Sequence, residues 1–402
     1  MRWLLCLGLA AGCASAGQPE DELVRRAREI HERVLTIDTH DDIPVNYATS
    51  ELNPCHGTRL QVDVPKMVAG GLDVAFLIVY VGQGPRTPDG YADAKRAALN
   101  KFEAIHRLTE QLCPDAIRLA YDPDDVERIA RSGQRVAVIG IENGYVIGKD
   151  LSLIADYHRR GARYMTLAHG AHNDIADSAT PTDGEHGGLS EFGEQVVAEM
   201  NRVGMMVDVS HISKAAMLDA VRVSRAPVIA SHSSARAVAD HARNLDDEQL
   251  LALKQNGGVM QAVAFAPYVK VQPAERVEAV RDLRQRLGIG GGRSMRELSP
   301  EKRAAYEREL AEIDRKWPRA TVQDFVEHID HAVRLIGIDH VGISSDFDGG
   351  GGVAGWDSAA ETFHVTLELV RRGYSESEIA RLWGGNLLRV WRAVQRAAQQ
   401  PS

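Results

Sequence analysis

Eight short runs of apolar, often β-branched residues recur along the chain, and nearly every neighbouring pair is separated by a stretch with helical spacing. The runs are Val34–Asp42, Val74–Val81, Val136–Asn143, Tyr164–Gly170, Met205–His211, Pro227–Ser233, Val259–Phe265 and His340–Asp348. Runs this short and apolar read as strands buried on both faces, and their alternation with helices implies a parallel sheet. Helical patterns fall at Glu20–Glu32, Ala92–Leu112, Leu151–Arg160, Ser190–Val203, Lys214–Val223, Asp246–Gln255 and Thr321–Leu335, and again from about Ala359 onward. Eight such strands predict a closed (β/α)8 TIM barrel, for which ~250 residues is typical. A chain of 402 residues leaves room for insertions. A doubly wound open sheet is the alternative. Six of the eight runs end in His, Asp or Glu. A barrel gathers those ends at one mouth, whereas an open sheet spreads them along an edge.

One segment breaks the rhythm. Glu275–Pro318 is long, charged and interrupted by Gly288–Gly292, and it follows the seventh strand. It reads as an inserted helical hairpin or lid. Residues 17–402 otherwise read as a single catalytic barrel domain. Composition agrees with a globular chain, 44% apolar and 26% charged. The net charge of −9 argues against nucleic acid or an anionic membrane surface as the main partner.

Residues 1–16 read as a signal peptide. Arg2 supplies a positive start, Trp3–Ala11 is apolar, and Ala14-Ser15-Ala16 is a cleavage-site pattern. Leu9–Cys13 also resembles a lipoprotein box, with Cys13 as the lipidated residue and a membrane anchor as the consequence. Either way the expectation is export to the periplasm. Cys55 and Cys113 then remain, and two readings stay open for them: a disulfide, which an oxidising compartment permits, or two free buried thiols.

The strand ends carry the chemistry. Side chains alternate across a strand, so His40 and Asp42 share one face. With Glu142, His169, His211, His232 and Asp346 they form a set of imidazoles and carboxylates aimed at one mouth. A lone His at a strand end is more often a packing or surface residue. Burying this many charged groups unpaired is costly, and divalent metal gives them a common purpose. Nitrogen and oxygen ligands without thiolate suit zinc, with manganese, cobalt or iron as alternatives. His40, Asp42, Glu142, His211 and His232 supply enough groups for two ions. No run ends in Lys, so a carbamylated-lysine bridge is excluded and Glu142 is the natural bridging carboxylate.

Ten stretches, in order, resemble the membrane dipeptidase (renal or dehydropeptidase-type) family of amidohydrolase-like barrels. Among them are T-I-D-T-H-D-D at 36–42, Q-V-D-V-P-K at 61–66, G-I-E-N-G at 140–144, and R-Y-M-T-L-A-H at 163–169. Others are N-R-V-G-M-M-V-D-V-S-H at 201–211, A-P-V-I-A-S-H-S-S-A-R at 226–236, A-R-N-L-D-D at 242–247 and V-G-I-S-S-D-F-D-G at 341–349. The resemblance implies an exported dipeptidase with two zinc ions, held by His40, Asp42, Glu142, His211 and His232. It implies that a bridging hydroxide attacks the peptide bond of a dipeptide, with Asp346 as acid/base. It places His169 against the scissile carbonyl and Arg243 on the substrate's terminal carboxylate, and it suggests a homodimer. The sequence departs from the family pattern in the 275–318 insertion, the exit Phe265–Tyr268 and the glycine run 349–352. Two other readings keep the barrel: a lactonase- or deaminase-type hydrolase, and a non-catalytic periplasmic homologue. Filled ligand positions speak against the second.

Overall fold

The computed structural model of the chain describes residues 18–289 and 298–400. The leader, Cys13 and the centre of the 275–318 insertion lie outside the described residues. Nine parallel strands form one sheet: β1 (Ile37–Asp42), β2 (Val74–Tyr80), β3 (Ile117–Leu119), β4 (Arg135–Glu142), β5 (Ala162–Thr166), β6 (Met206–Asp208), β7 (Ile229–Ala230), β8 (Val259–Val263) and β9 (Val341–Ser344). Eight of them follow the order β1-β2-β4-β5-β6-β7-β8-β9. The ring closes between its ends through a parallel bridge of Asp41 with Phe347, where the Asp42 N–H donates to the Phe347 carbonyl at 2.8 Å. This is a (β/α)8 barrel, with helices between successive strands.

Both faces of the strands are buried, as the continuous apolar runs require. Along β2, Val74, Phe76 and Ile78 pack in one apolar cluster while Ala75, Leu77 and Val79 pack in another. Val136 and Val138 of β4 join the first cluster. The C-terminal helix Asn386–Ala398 contributes Leu387, Trp391 and Val394 to it, with the Trp391 ring 6.3 Å from that of Phe76. Alternation along β4 then puts Glu142 on the same face as Val136 and Val138.

The sequence runs overstate the strands. β6 and β7 span three and two residues, because the chain leaves the sheet soon after Asp208 and Ala230 to form the turns bearing His211 and His232. β3 was not expected. Its three residues are too few for a periodic signal, and they pair with Arg135–Ala137 of β4, below the point where β5 takes over that edge at Ile139. The helices Val64–Gly70 and Pro123–Arg131 also went unread. Each is short and begins with an Asp cap, Asp63 and Asp122, accepting from the backbone N–H three residues on.

The insertion is a helical hairpin. Ala274–Leu287 and Pro300–Lys316 lie antiparallel, tied by Arg276–Asp314 and Arg286–Glu309 ion pairs at 2.8 Å each. Leu283, on the first of these helices, is fully buried. Cys55 and Cys113 form a disulfide with Cα atoms 5.9 Å apart, joining the loop after β1 to the end of the helical stretch Pro88–Leu112. Among the described residues no helix is long and apolar enough to cross a membrane.

Candidate metal centre

All the strand-end residues named from the sequence reach one mouth. Three clusters, each with ligand atoms within 4.8 Å of one another, are His40–Glu142–His232, Glu142–His169–His211 and His40–Asp42–Asp346. Glu142 joins two of them and His40 joins two, so the set is continuous. His40, Glu142, His211 and His232 are buried, and Asp42 is partly exposed. Asp42, Glu142, His211 and His232, with His169, Asp346, Tyr80 and Phe265, line a cavity of about 520 Å³, and His40 lies behind them.

The imidazoles are oriented from behind. His40 Nδ1 lies 2.9 Å from the Tyr164 hydroxyl, which donates onward to the Thr39 carbonyl at 3.0 Å. The hydroxyl proton is thus used, so His40 Nδ1–H is the donor, and the neutral ring would present its Nε2 lone pair to a cation. Nε2 is buried with no hydrogen-bond partner among the described residues, 3.7 Å from Glu142 and 3.8 Å from Asp42. The same device recurs at His232. The Ser231 hydroxyl donates to Asp208 at 2.6 Å and accepts from His232 Nδ1–H at 2.8 Å. Asp208 also accepts from the backbone N–H groups of Ser210 and Ser231. A ring nitrogen fixed as donor on one side leaves the other free to bind a cation.

The front of the cluster needs that cation. His211 Nε2 and His232 Nε2 stand 2.7 Å apart, and they lie 3.0 and 3.4 Å from the same Glu142 oxygen. Such convergence demands a shared proton or a positive ion. Protonation shows the same tension. Burial pulls His211 and His232 well below the usual imidazole range. At His40 burial is outweighed by Glu142, Asp42 and Asp346, which raise it to about 9. Burial would also raise Glu142, but the surrounding imidazoles hold it well below the usual carboxylate range. Burial pushes Asp42 up to about 6 and Asp346 well above its ordinary value. The donor set of imidazoles and carboxylates fits zinc.

The turns that carry these groups are strained. Among the described residues, the non-glycine positions with positive φ are Ala48, Asn143, His211, Asp346 and Asp348. Four of the five sit in the turns that follow β4, β6 and β9. Left-handed backbone at bulky residues is uncommon and clusters at functional sites. Gln61 braces the turn after β9: its side-chain oxygen accepts from the Asp348 N–H at 2.7 Å, while its own N–H donates to the Asp348 carboxylate at 3.0 Å. Gly349 lies so close that a Cβ there would meet Asp346 at 2.3 Å and Asp42 at 2.4 Å. The glycine run thus lets the chain pass against two carboxylates.

Other polar groups near the strand ends do different work. Asp38 is buried and accepts from the Ser345 N–H at 2.9 Å, a structural role. Asp41 stays off the cavity and is fully buried beside Asp38 and Ser345. His172 and His186 do not line the cavity; they bond the carbonyls of Asp183 and Asn173 within their own loop. Arg243 is 4% exposed and donates to the His232 carbonyl at 3.1 Å. Its guanidinium lies 5.3 Å from the centroid of Tyr268, which does line the cavity. Sequence reasoning missed Tyr164, Asp208, Ser231 and Tyr268. The available signal for the first three was a polar residue within or beside an otherwise apolar strand run.

A parallel barrel whose mouth gathers three buried imidazoles around one carboxylate defines a metal-dependent hydrolase barrel. The chain belongs to the membrane dipeptidase family, peptidase family M19, whose profile matches residues 24–402. It is similar to the dipeptidase tcpJ of Claviceps purpurea, 35% identical over 343 residues that cover 84% of this chain and 70% of that one. It is also similar to the dipeptidase verJ of Clonostachys rogersoniana, 30% identical, covering 94% and 89% of the two chains. Among solved structures, the probable dipeptidase PvdM from Pseudomonas aeruginosa superposes with a TM-score of 0.82 at 33% identity, covering 94% of this chain and all of that one. A Rhodobacter sphaeroides metallopeptidase, solved with a phosphinate mimic of L-Ala-D-Ala, shares the fold at a TM-score of 0.70 and 22% identity, covering 90% of this chain and 99% of that one.

The bracing behind His232 generates a prediction. Ser231→Ala should weaken divalent-metal affinity by roughly 10–100-fold with the fold intact, as removal of an orienting partner typically does. Competition with a chromophoric chelator measures it, and an unchanged affinity contradicts the assigned tautomer.

Proposed function

We propose that the chain is a dinuclear zinc dipeptidase acting on dipeptides with a free C-terminal carboxylate. The observation that carries this reading is the convergence of His40, His211 and His232 on the single carboxylate of Glu142, with Asp42 beside His40, at the barrel mouth of a dipeptidase-family member. The ions would be held by His40 and Asp42, by His211 and His232, and by Glu142 in common. Bound zinc would supply Lewis acidity, making water nucleophilic near neutral pH and polarising the substrate carbonyl.

The chain's own residues do the rest. Asp346 is a buried carboxyl beside His40 and Asp42. It takes the proton from the attacking water and returns it to the leaving amine, as a group held well above its usual range by burial is suited to do. His169, in the same cavity with its Nε2 3.7 Å from Glu142, donates to the scissile carbonyl. Arg243, flanked by Tyr268, recognises the terminal carboxylate by paired N–H donors, which Lys cannot reproduce. The Cys55–Cys113 disulfide supports export to an oxidising compartment, in line with the leader-like residues 1–16.

Two variants test the roles. Asp346→Asn should keep its metal and lose at least about a hundredfold in kcat, the lower range for removing a general acid/base. Full activity in that variant excludes the assignment. Arg243→Ala should lower kcat/KM on free dipeptides far more than on C-terminally amidated ones, and an equal effect on both refutes the clamp.

A further inference from the structure

His328 has no place in the chemistry so far and does not line the metal cavity. It lies fully buried on the helix Val322–Ile336, whose other buried residues are Val322, Phe325, Val326, Ile329, Ala332 and Ile336. An imidazole on so apolar a face needs partners for both ring nitrogens. It finds them in two different loops. Nδ1 accepts from the Ala235 N–H at 3.1 Å, and a backbone N–H can only donate. The ring proton therefore sits on Nε2, which donates to the Val269 carbonyl at 2.9 Å. Burial pulls the imidazole below its usual range, which favours this neutral form.

The two partners belong to the two halves of the proposed carboxylate clamp. Ala235 lies in the loop after β7 that carries Arg243, and it forms a parallel bridge with Leu245, two residues beyond Arg243. Val269 ends the short helix Ala266–Val269 after β8 and directly follows Tyr268. The Tyr268 ring covers the Arg243 guanidinium at 5.3 Å and lines the metal cavity. Asn244 adds a direct tie between the loops, donating to the carbonyls of Ala239 and Tyr268 at 2.8 Å each. His328 joins the same two loops from a third element, behind the site.

We infer that His328 is a positioning residue for substrate recognition: it bolts the Arg243 loop to the Tyr268 helix and so fixes where the guanidinium meets a terminal carboxylate. The recognition role rests on the dipeptidase reading, whereas the bond between the loops does not. Without His328 the two loops shift independently. Paired N–H donors on a carboxylate tolerate little displacement. The bound substrate and the transition state use the clamp alike, so its misplacement raises KM and spares kcat.

The test compares the full-length protein with His328→Leu, which removes both hydrogen bonds, and with His328→Asn, whose amide oxygen can still accept from the Ala235 N–H. On Ala-Ala, His328→Leu should raise KM about tenfold with kcat within about twofold, while KM on Ala-Ala-amide stays within about twofold. His328→Asn should fall between, and it carries the same comparison if His328→Leu does not fold. In an Arg243→Ala background His328→Leu should add no further loss on Ala-Ala, because coupled sites are not additive. An unchanged KM on Ala-Ala, an equal change on the amide, or full additivity with Arg243→Ala overturns the inference. Hydrogen exchange is read in the same proteins: residues 235–246 and 266–269 should exchange faster in His328→Leu, and unchanged exchange there also overturns it. Absent turnover by the native protein, with that faster exchange present, sinks the dipeptidase reading and leaves the bolt between the loops standing.

Discussion

Three imidazoles and a carboxylate converge, buried, on one point, and much of the local structure exists to hold them there. Glu142 draws His211 and His232 so close that their facing nitrogens are 2.7 Å apart. Left to themselves, such groups would spread toward water or bury a costly uncompensated charge. The barrel prevents the first by putting each on a different strand end. Divalent cations answer the second, and the orienting partners behind His40 and His232 turn bare nitrogens toward the place a cation would occupy. Hydrogen bonds thus run outward from the cluster to Tyr164, Ser231 and Asp208, into the strands themselves.

Backbone strain follows from the same demand. A strand alone directs side chains up or down its pleat, but His211 and Asp346 must lean into the mouth from the turn beyond. Both adopt positive φ, as do Asn143 and Asp348. Such conformations persist where the surroundings over-determine them. Gln61 supplies part of that restraint from the loop after β1, and Gly349 supplies the space. Stability and function therefore meet in the β9 turn, where the ring also closes through Asp41 and Phe347.

The barrel was legible because buried parallel strands are nearly uniform in polarity, so eight apolar runs stand out against amphipathic helices. The ligand-bearing ends were legible for a related reason: His40, Glu142 and His232 are charged or polar where a core strand should continue. What stayed hidden was short or three-dimensional. β3 has three residues and no period of its own. The pairing of Ser231 with Asp208, 23 residues apart, depends on β6 and β7 lying side by side. Burial of Asp41 was likewise unreadable, since alternation tells which face a residue takes but not whether a helix covers that face. The covering of Arg243 by Tyr268 joins two separate loops and leaves no spacing signal.

The proposed hydrolysis requires two cations held in common by Glu142. Its most direct test is the metal content of the purified full-length protein, by mass spectrometry, before and after dialysis against chelator. The account predicts about two zinc ions per chain, with their removal abolishing and their return restoring dipeptide hydrolysis. Fewer than about one tightly held metal per chain, or hydrolysis that survives complete metal removal, would contradict it.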